Sequence, residues 1–398
     1  MIILNKVVKK LGEFFVPLSI SDIIVSDSVR HFYFVDFIRG ISALVILVWH
    51  YQHFFWTPLT GLDIDKTAQP FYSLLMPFYT NGYWAVQLFW MISGFVFAYV
   101  YAQRKTDAVT YFTNRFSRLY PLHFVTLIIV AVLQYISMKC LGYFQIASFN
   151  DVWHFFLNIF YIGYWGFHDG NSFNTPVWSV SIEEGIFILF FFLHRIIFAG
   201  GVLLPVALVG LGYAISIRGT PLWFFGICAL YFFAGILVYF YLIKFKKFIK
   251  IHFLVSFISL VIFFVLLRKY VAGKIPFTTV EFFLFLPLLL LTALADLYLS
   301  NKHKLQKMFA FFKSVGNLTY SSYLLHFPIQ ILVLIVFHYF KLSQDIFYYK
   351  IMFLAWMLVV IVASVLSFRY IEMPAKNYLR KSLPVRLRSA FDRSDIIK

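Results

Sequence analysis

Residues 37–56 read FIRGISALVILVWHYQHFFW, an almost uninterrupted apolar run. A helix needs about 20 such residues to cross a hydrocarbon core of about 30 Å, so this run predicts a transmembrane helix. Nine further stretches have the same character: 83–101, 119–137, 184–199, 202–217, 221–243, 251–267, 277–298, 318–340 and 350–368. The sequence therefore predicts an all-α, polytopic membrane helix bundle with about ten transmembrane helices.

The composition excludes several other classes of protein. Of the 398 residues, 62% are hydrophobic, 22% are aromatic and 13% are charged, and the mean hydropathy is +0.82, whereas soluble domains average about 25% charged residues. A water-soluble protein, a disordered chain and a small disulfide scaffold are excluded. The net charge of +17 does not predict a nucleic-acid partner, because in a membrane protein the positions of the cations matter more than their sum. Cys140 and Cys228 lie in apolar stretches and are expected to be core residues.

The positions of the basic residues predict the topology. The apolar segment 152–167 is short and contains polar and aromatic residues, which is typical of an interfacial helix. If this segment does not span, 25 Lys and Arg lie on one side of the membrane and eight lie on the other. Cytoplasmic loops carry such an excess. We therefore expect both termini in the cytoplasm of a multi-pass protein of a bacterial-type cytoplasmic membrane.

The chain is expected to have three parts. Charged residues interrupt residues 1–21, so no secretory signal is recognised there. We expect a cytoplasmic amphipathic segment over 1–36, the transmembrane bundle over 37–370 and a basic cytoplasmic tail over 371–398. No hydrophilic stretch is long enough to form a second soluble domain, so the chemistry is expected within the bundle.

The first span contains two ionisable residues, Arg39 and His50, and such residues within a membrane indicate function. They are 11 residues apart, so they project from one helix face about 16 Å apart along the axis. A neutral imidazole can act as a base. Two alternatives are open: Arg39 extends to the cytoplasmic interface and pairs with Asp36, and His50 makes a structural hydrogen bond. His53, one turn later, is expected at the interface.

A second polar cluster is predicted at the outer mouth of the fourth span, where residues 176–184 read PVWSVSIEE. Acidic residues at a helix entrance are favoured by the helix dipole, and Ser181 could cap the helix. That alternative accounts for one carboxylate. It leaves Trp178 and the second acid of the pair Glu183 and Glu184 unexplained, so we favour a polar site that faces the bundle.

Two further sites are predicted from polar residues near span ends. Arg115 and Arg118 lie one turn apart at the cytoplasmic start of the third span and could hold phosphates or contact anionic lipid headgroups. His326 lies in the ninth span beside Pro328, which leaves backbone carbonyls for interior polar groups to satisfy. The sequence contains no metal-ligand spacing, glycine-rich phosphate loop or nucleophile elbow, so no metal site is expected.

Six sequence blocks together resemble the acyltransferase-3 family of integral membrane acyltransferases. The resemblance covers about residues 34–380, and its blocks are DFIRGI at 36–41 with His50, FWMISGF at 89–95, RFSRLYP at 115–121, WSVSIEE at 178–184, TYSSYLLHFP at 319–328 and FRYIEMPA at 368–375. It implies transfer of an acyl group, most often acetyl from acetyl-CoA, to hydroxyls of surface carbohydrates. Some members have an added extracytoplasmic hydrolase-like domain, and this chain resembles the stand-alone form.

The resemblance also implies roles for individual residues. Arg39 and His50 match the arginine and histidine of the family's first span, Glu183 matches the first carboxylate after the Trp-Ser signature, and Arg115 and Arg118 match the cytoplasmic basic pair. Acetyl-CoA is expected as the acyl donor, held by these two arginines and Arg39, with His50 as general base or nucleophile.

Other residues are expected to bind the acceptor, or differ from the family pattern. Trp178, Ser181, Glu184 and His326 are expected to contact the acceptor, while Glu183 orients His50 or binds the sugar. Many relatives have more consecutive arginines than the stretch NRFSR at 114–118, and Gly185 replaces a polar residue that is common after the acids.

Two functions of other classes remain as alternatives to O-acyl transfer. A transporter or flippase of a lipid-linked sugar predicts an alternating-access cavity, and a non-catalytic partner of a polysaccharide synthase predicts that none of Arg39, His50 and Glu183 matters individually. The expected partners are membrane lipids and a surface polysaccharide or lipid-linked sugar, with no nucleic acid. No pattern in the sequence predicts an oligomeric state.

Overall fold

The computed structural model describes residues 31–62, 64–102, 106–217, 222–271 and 278–394. The predicted amphipathic segment therefore lies outside the described residues up to position 30. The chain divides into two compact units. The first contains Met1–Ser42, Trp84–Lys105 and Ile182–Gly316, and the second contains Ala43–Tyr83, Thr106–Ser181 and Asn317–Lys398.

The described residues are almost entirely helical. Their α-helices are α1 Tyr33–His50, α2 Tyr72–Asn81, α3 Ala85–Tyr101, α4 Ala108–Leu141, α5 Val152–Ile159, α6 Trp178–Gly200, α7 Leu203–Ser216, α8 Trp223–Phe245, α9 Ile249–Val271, α10 Thr278–Leu299, α11 Gln306–Asn317, α12 Thr319–Tyr339, α13 Lys350–Ser367 and α14 Met373–Ser394. Short 3-10 turns occur at Tyr51–Phe55, Lys66–Ala68, Gly82–Trp84, Thr175–Val177, His303–Leu305 and Gln344–Tyr348, and one π-helical turn at Phe368–Glu372. A single antiparallel pair joins β1 Trp56–Thr57 to β2 Gly61–Leu62.

The predicted all-α membrane bundle is confirmed. Each of the ten predicted stretches is helical, and within the described residues eight helices are long and apolar enough to cross a membrane. The other two stretches form α6 and α7. With 14 residues, α7 extends about 21 Å, less than the hydrocarbon core, and α6 carries both acids of the outer cluster. Length and composition thus mark eight candidate spans among the described residues, and the number of spans and the orientation of the termini stay predictions.

The segment 152–167 forms only one short helix. Its α-helical part, α5, has eight residues and is about 12 Å long, which is too short to cross a membrane. Asp151 begins the helix by accepting a hydrogen bond from the backbone N–H of His154 at 2.9 Å, which is the usual arrangement of a helix N-cap.

In the first unit, α8 is the most enclosed of the candidate spans and packs against α3 and α7. Gly94 on α3 lies directly against the backbone of Phe232, and Gly235 on α8 lies directly against the backbone of Met91. A Cβ atom at either glycine would overlap the opposing backbone. Small residues that let two helix backbones approach closely are a common packing device in membranes, and here they hold α3 to α8.

The start of α1 is capped by a carboxylate from another helix. Asp296 on α10 is fully buried and accepts hydrogen bonds from the backbone N–H of Phe34 at 3.0 Å and of Val35 at 3.1 Å. These N–H groups belong to the first turn, where no intrahelical acceptor is available. Asp296 therefore fixes the start of the helix that carries the two predicted site residues of the first span.

We expect Asp296→Ala to destabilise the protein by about 1–3 kcal/mol, because it leaves buried N–H groups of α1 without an acceptor. Asp296→Asn, which keeps one acceptor oxygen, should cost less. The apparent unfolding temperature of the purified protein in detergent measures both effects, and Asp345→Ala, in an exposed loop of the second unit, serves as control. An Asp296→Ala protein that unfolds at the wild-type temperature would contradict the capping role.

In the second unit, α12 packs against α4 and α13. The C-terminal half of α1 joins the same core, because Leu47 and Val48 belong to a buried cluster with Trp356 and Val360 of α13. Pro328 interrupts the hydrogen bonding of α12, and the side-chain amide of Asn174 donates to the carbonyl of Leu324, four residues before the proline, at 3.0 Å. The prediction that an interior polar group satisfies a carbonyl beside this proline is confirmed.

Candidate active site

Three histidines meet in the second unit where α1 ends. His50 is the last residue of α1, and the next turn, which contains His53, is a 3-10 helix. The Nδ1 atoms of His50 and His53 are 3.3 Å apart, and the ring centroids of His50 and His326 are 4.6 Å apart. All three side chains are buried, with exposed fractions of 7%, 8% and 0%. The ring of His53 thus lies against that of His50, and its depth in the membrane stays a prediction.

Hydrogen bonds to backbone carbonyls fix the side chains of His326 and of Gln330, which lies next to the three histidines. The Nδ1–H of His326 donates to the carbonyl of Ser322 at 3.0 Å, so a neutral His326 has its lone pair on Nε2. The side-chain amide of Gln330 donates to the carbonyl of His50 at 2.8 Å and is itself fully buried. It thereby satisfies the last carbonyl of α1, where the helical hydrogen bonding changes. Gln330 was not predicted as a site residue, although its position one turn after His326 in an apolar helix indicates a shared face.

Residues 176–179 contact α12 through Tyr323. The hydroxyl of Tyr323 donates to the carbonyl of Pro176 at 2.7 Å and lies 2.7 Å from the hydroxyl of Ser179. The ring of Tyr323 is 6.0 Å from that of His326, one turn along α12. The structure thus brings the start of the predicted outer cluster to the helix that carries His326.

Ser181 has a different position from the one expected of a helix cap. Because α6 begins at Trp178, Ser181 lies inside the first turn. Its hydroxyl donates to the carbonyl of Tyr161 at 2.6 Å and accepts from the N–H of Tyr164 at 3.3 Å, while its carbonyl accepts from the indole of Trp165 at 2.8 Å. Ser181 therefore attaches the loop that follows α5 to the first turn of α6. A contact between Ser181 and substrate stays a prediction.

The remaining acids of the outer cluster and Arg39 lie in the first unit. Glu183 and Glu184 are half-buried on α6, and both carry interactions with the rest of the chain. Arg39 forms an ion pair with Asp36 at 2.9 Å and donates to the carbonyl of Gly316 at 2.9 Å. The pairing of Arg39 with Asp36 was one of the two alternatives, and it is confirmed. The roles of Glu183 toward His50 and of Arg39 toward a donor stay predictions.

At the start of α4, Arg115 is half-buried and Arg118 is exposed. Glu372, in the π-helical turn, is buried, and the charge of Arg118 acts on it. Glu372 lies within the sequence block FRYIEMPA, and no role was predicted for it from the sequence. Among the described residues, no group of three or more His, Cys, Asp or Glu side chains has an arrangement that could hold a metal ion.

Comparison with known sequences decides the family. A family model described as an acyltransferase domain, that of acyltransferase 3, matches residues 32–369. The chain belongs to the acyltransferase-3 family. The resemblance noted in the sequence is thereby confirmed, and the chain is a multi-pass membrane protein of this family.

Two curated proteins are distant relatives of this acyltransferase-3 chain. Acyltransferase MdmB of Streptomyces mycarofaciens is 27% identical over 165 residues, which is 40% of this chain and 38% of that protein. Protein 2 in picA locus of Rhizobium radiobacter is 31% identical over 117 residues, which is 28% of this chain and 50% of that protein. The matches thus span half or less of these relatives' lengths. No solved structure matches the chain.

Proposed function

We propose that this acyltransferase-3 protein moves an acyl group, acetyl in the first instance, from acyl-CoA to a hydroxyl of a cell-surface polysaccharide or lipid-linked sugar. It acts in a bacterial-type cytoplasmic membrane. The observation that carries the proposal is the buried contact of His50 with His53 and His326, because imidazole is the side chain best suited to accept a proton at neutral pH.

In the proposed reaction, His50 accepts the proton of the acceptor hydroxyl while the hydroxyl oxygen bonds to the thioester carbonyl carbon. The carbon–sulfur bond then breaks, and the CoA sulfur leaves as a thiol with the proton that His50 returns. In a second route, a ring nitrogen of His50 bonds to the thioester carbonyl carbon as the carbon–sulfur bond breaks, and CoA leaves as a thiol with the proton of the imidazole. The acceptor hydroxyl oxygen then bonds to the acyl carbon as the bond from that carbon to the ring nitrogen breaks, and its proton passes to the imidazole. The contact between His50 and His326 supports a role for His326 at the acceptor, and Trp178, Ser181 and Glu184 complete the proposed acceptor site.

The donor is proposed to bind at the cytoplasmic start of α4. Arg115 and Arg118 lie one turn apart there, and guanidinium groups bind phosphates through paired hydrogen bonds. Arg39 would guide the pantetheine arm toward His50, since both residues lie on α1 about 16 Å apart along its axis. Glu183 would orient His50 or bind the sugar.

One experiment tests the reaction as a whole. The purified protein is incubated with acetyl-CoA that carries a radiolabel in its acetyl group, together with a mixed pool of glycan acceptors. We expect labelled sugar, and in addition labelled protein if the acyl group passes through His50. A protein that yields neither product, but moves a lipid-linked sugar across a vesicle membrane, would contradict the proposal in favour of a transporter.

A further inference from the structure

Glu372 lies at an unusual point of the backbone, in the π-helical turn Phe368–Glu372 between α13 and α14. Such turns occur mostly as single insertions in α-helices and are frequent at functional sites. The side chain is buried, with an exposed fraction of 8%. A buried carboxylate is costly unless it is paired and hydrogen-bonded, so its partners indicate why it is there.

The partners of Glu372 come from three helices of the second unit. The hydroxyl of Ser321, in the first turn of α12, donates to a carboxylate oxygen of Glu372. Lys376 lies one turn later on α14, and both its charge and that of Arg118 act on the carboxylate. The π-helical turn and α14 pack against α4, which carries Arg118. The carboxylate is therefore bonded to α12 and lies where the π-helical turn packs on α4, next to the predicted donor site.

The two charged groups differ in their exposure. Glu372 is buried, whereas Arg118 is exposed. A guanidinium has five N–H donors in a rigid plane, so it can bind a carboxylate behind it and a second anion in front. We propose that Glu372 is the positioning residue of the donor site: it holds the guanidinium of Arg118 so that the outward edge binds a phosphate of the acyl donor. This inference rests on the proposed use of acyl-CoA.

The variant Glu372→Gln tests the inference because it keeps the size of the side chain and its capacity to accept from Ser321, but removes the charge that acts with Arg118. We expect the KM for acetyl-CoA to rise about fivefold to tenfold, with kcat little changed. In a protein that already carries Arg118→Ala, adding Glu372→Gln should change the KM for acetyl-CoA less than twofold, because Glu372 acts through Arg118. A merely structural glutamate would give the same KM factor in both backgrounds, and that result would overturn the inference.

Two further variants keep the test decisive. Ser321→Ala removes the hydrogen bond to Glu372 and should raise the same KM by a smaller factor, so it replaces Glu372→Gln if that variant does not fold. Glu281→Gln is the matched control, because Glu281 is a buried carboxylate of the first unit that accepts a hydrogen bond from the hydroxyl of Tyr231 at 2.9 Å. We expect Glu281→Gln to leave the donor KM unchanged.

Direct binding of radiolabelled acetyl-CoA to the purified protein separates the two proposals. If the wild-type protein does not bind acetyl-CoA, the proposed donor is wrong. If the wild-type protein binds acetyl-CoA and the Glu372→Gln and Ser321→Ala variants bind it equally tightly, the role of Glu372 alone is wrong. Weaker binding by both variants, with an unchanged Glu281→Gln control, is the result we expect.

Discussion

Replacing His50 by alanine is expected to lower acyl transfer by about 10²- to 10⁴-fold, the usual contribution of a positioned acid or base. In either route of the proposed reaction, the proton of the acceptor hydroxyl leaves through the imidazole of His50. The measurement is the rate of acetyl transfer to a glycan by the purified variant.

A matched histidine controls for the change of residue type. His338 lies near the end of α12, is half-buried and has its ring nitrogen 3.3 Å from the side-chain amide of Gln344. We expect His338→Ala to retain most of the activity. If His50→Ala inserts into the membrane and transfers acetyl at a near wild-type rate, the central role of His50 is wrong. Acid-quenched wild-type protein that carries the label, with no label on His50→Ala, would identify the covalent route.

The second large effect is expected at the donor site, from the combined substitution of Arg115 and Arg118 by alanine. A hydrogen bond to a charged group is worth about 1.5–3 kcal/mol, so the double variant should raise the KM for acetyl-CoA by a factor of about ten or more. The maximal rate should change less, because neither arginine is proposed to contact the reacting carbonyl. The measurement is the initial rate as a function of acetyl-CoA concentration at saturating acceptor.

A control substitution of another cation on α4 distinguishes donor binding from a general effect of lost positive charge. Lys139 is an exposed cation in the last turn of α4, and its ammonium group lies 5.7 Å from the ring centroid of Tyr135. We expect Lys139→Ala to leave the KM for acetyl-CoA unchanged. An unchanged KM in the Arg115→Ala, Arg118→Ala protein would instead assign these arginines to lipid headgroups, the alternative that the sequence left open.

The helices could be predicted from the sequence because a membrane imposes a simple rule on the length and polarity of a span. The same rule does not decide α6 and α7, because α6 carries two adjacent acids and α7 has only 14 residues. It also could not reveal the glycines Gly94 and Gly235, whose importance depends on which backbone lies opposite.

The candidate site was predictable in part. The sequence singled out His50 and His326 separately, because ionisable residues in apolar runs stand out, but not their contact, which depends on the packing of α12 against the end of α1. Gln330 was missed because a neutral amide carries no strong signal. Glu372 was missed as a site residue because its burial follows from a π-helical turn that no local pattern announces.

The two ends of α1 are each held by a side chain from elsewhere in the chain: Asp296 binds the first turn and Gln330 binds the last carbonyl. One inserted residue between Arg39 and His50 would rotate the imidazole by about 100° and shift it by about 1.5 Å relative to the arginine. The number of residues between the two is thus constrained in addition to their identities. Distant relatives are best sought by this spacing, and a chain in which it differs by one residue should not share the chemistry.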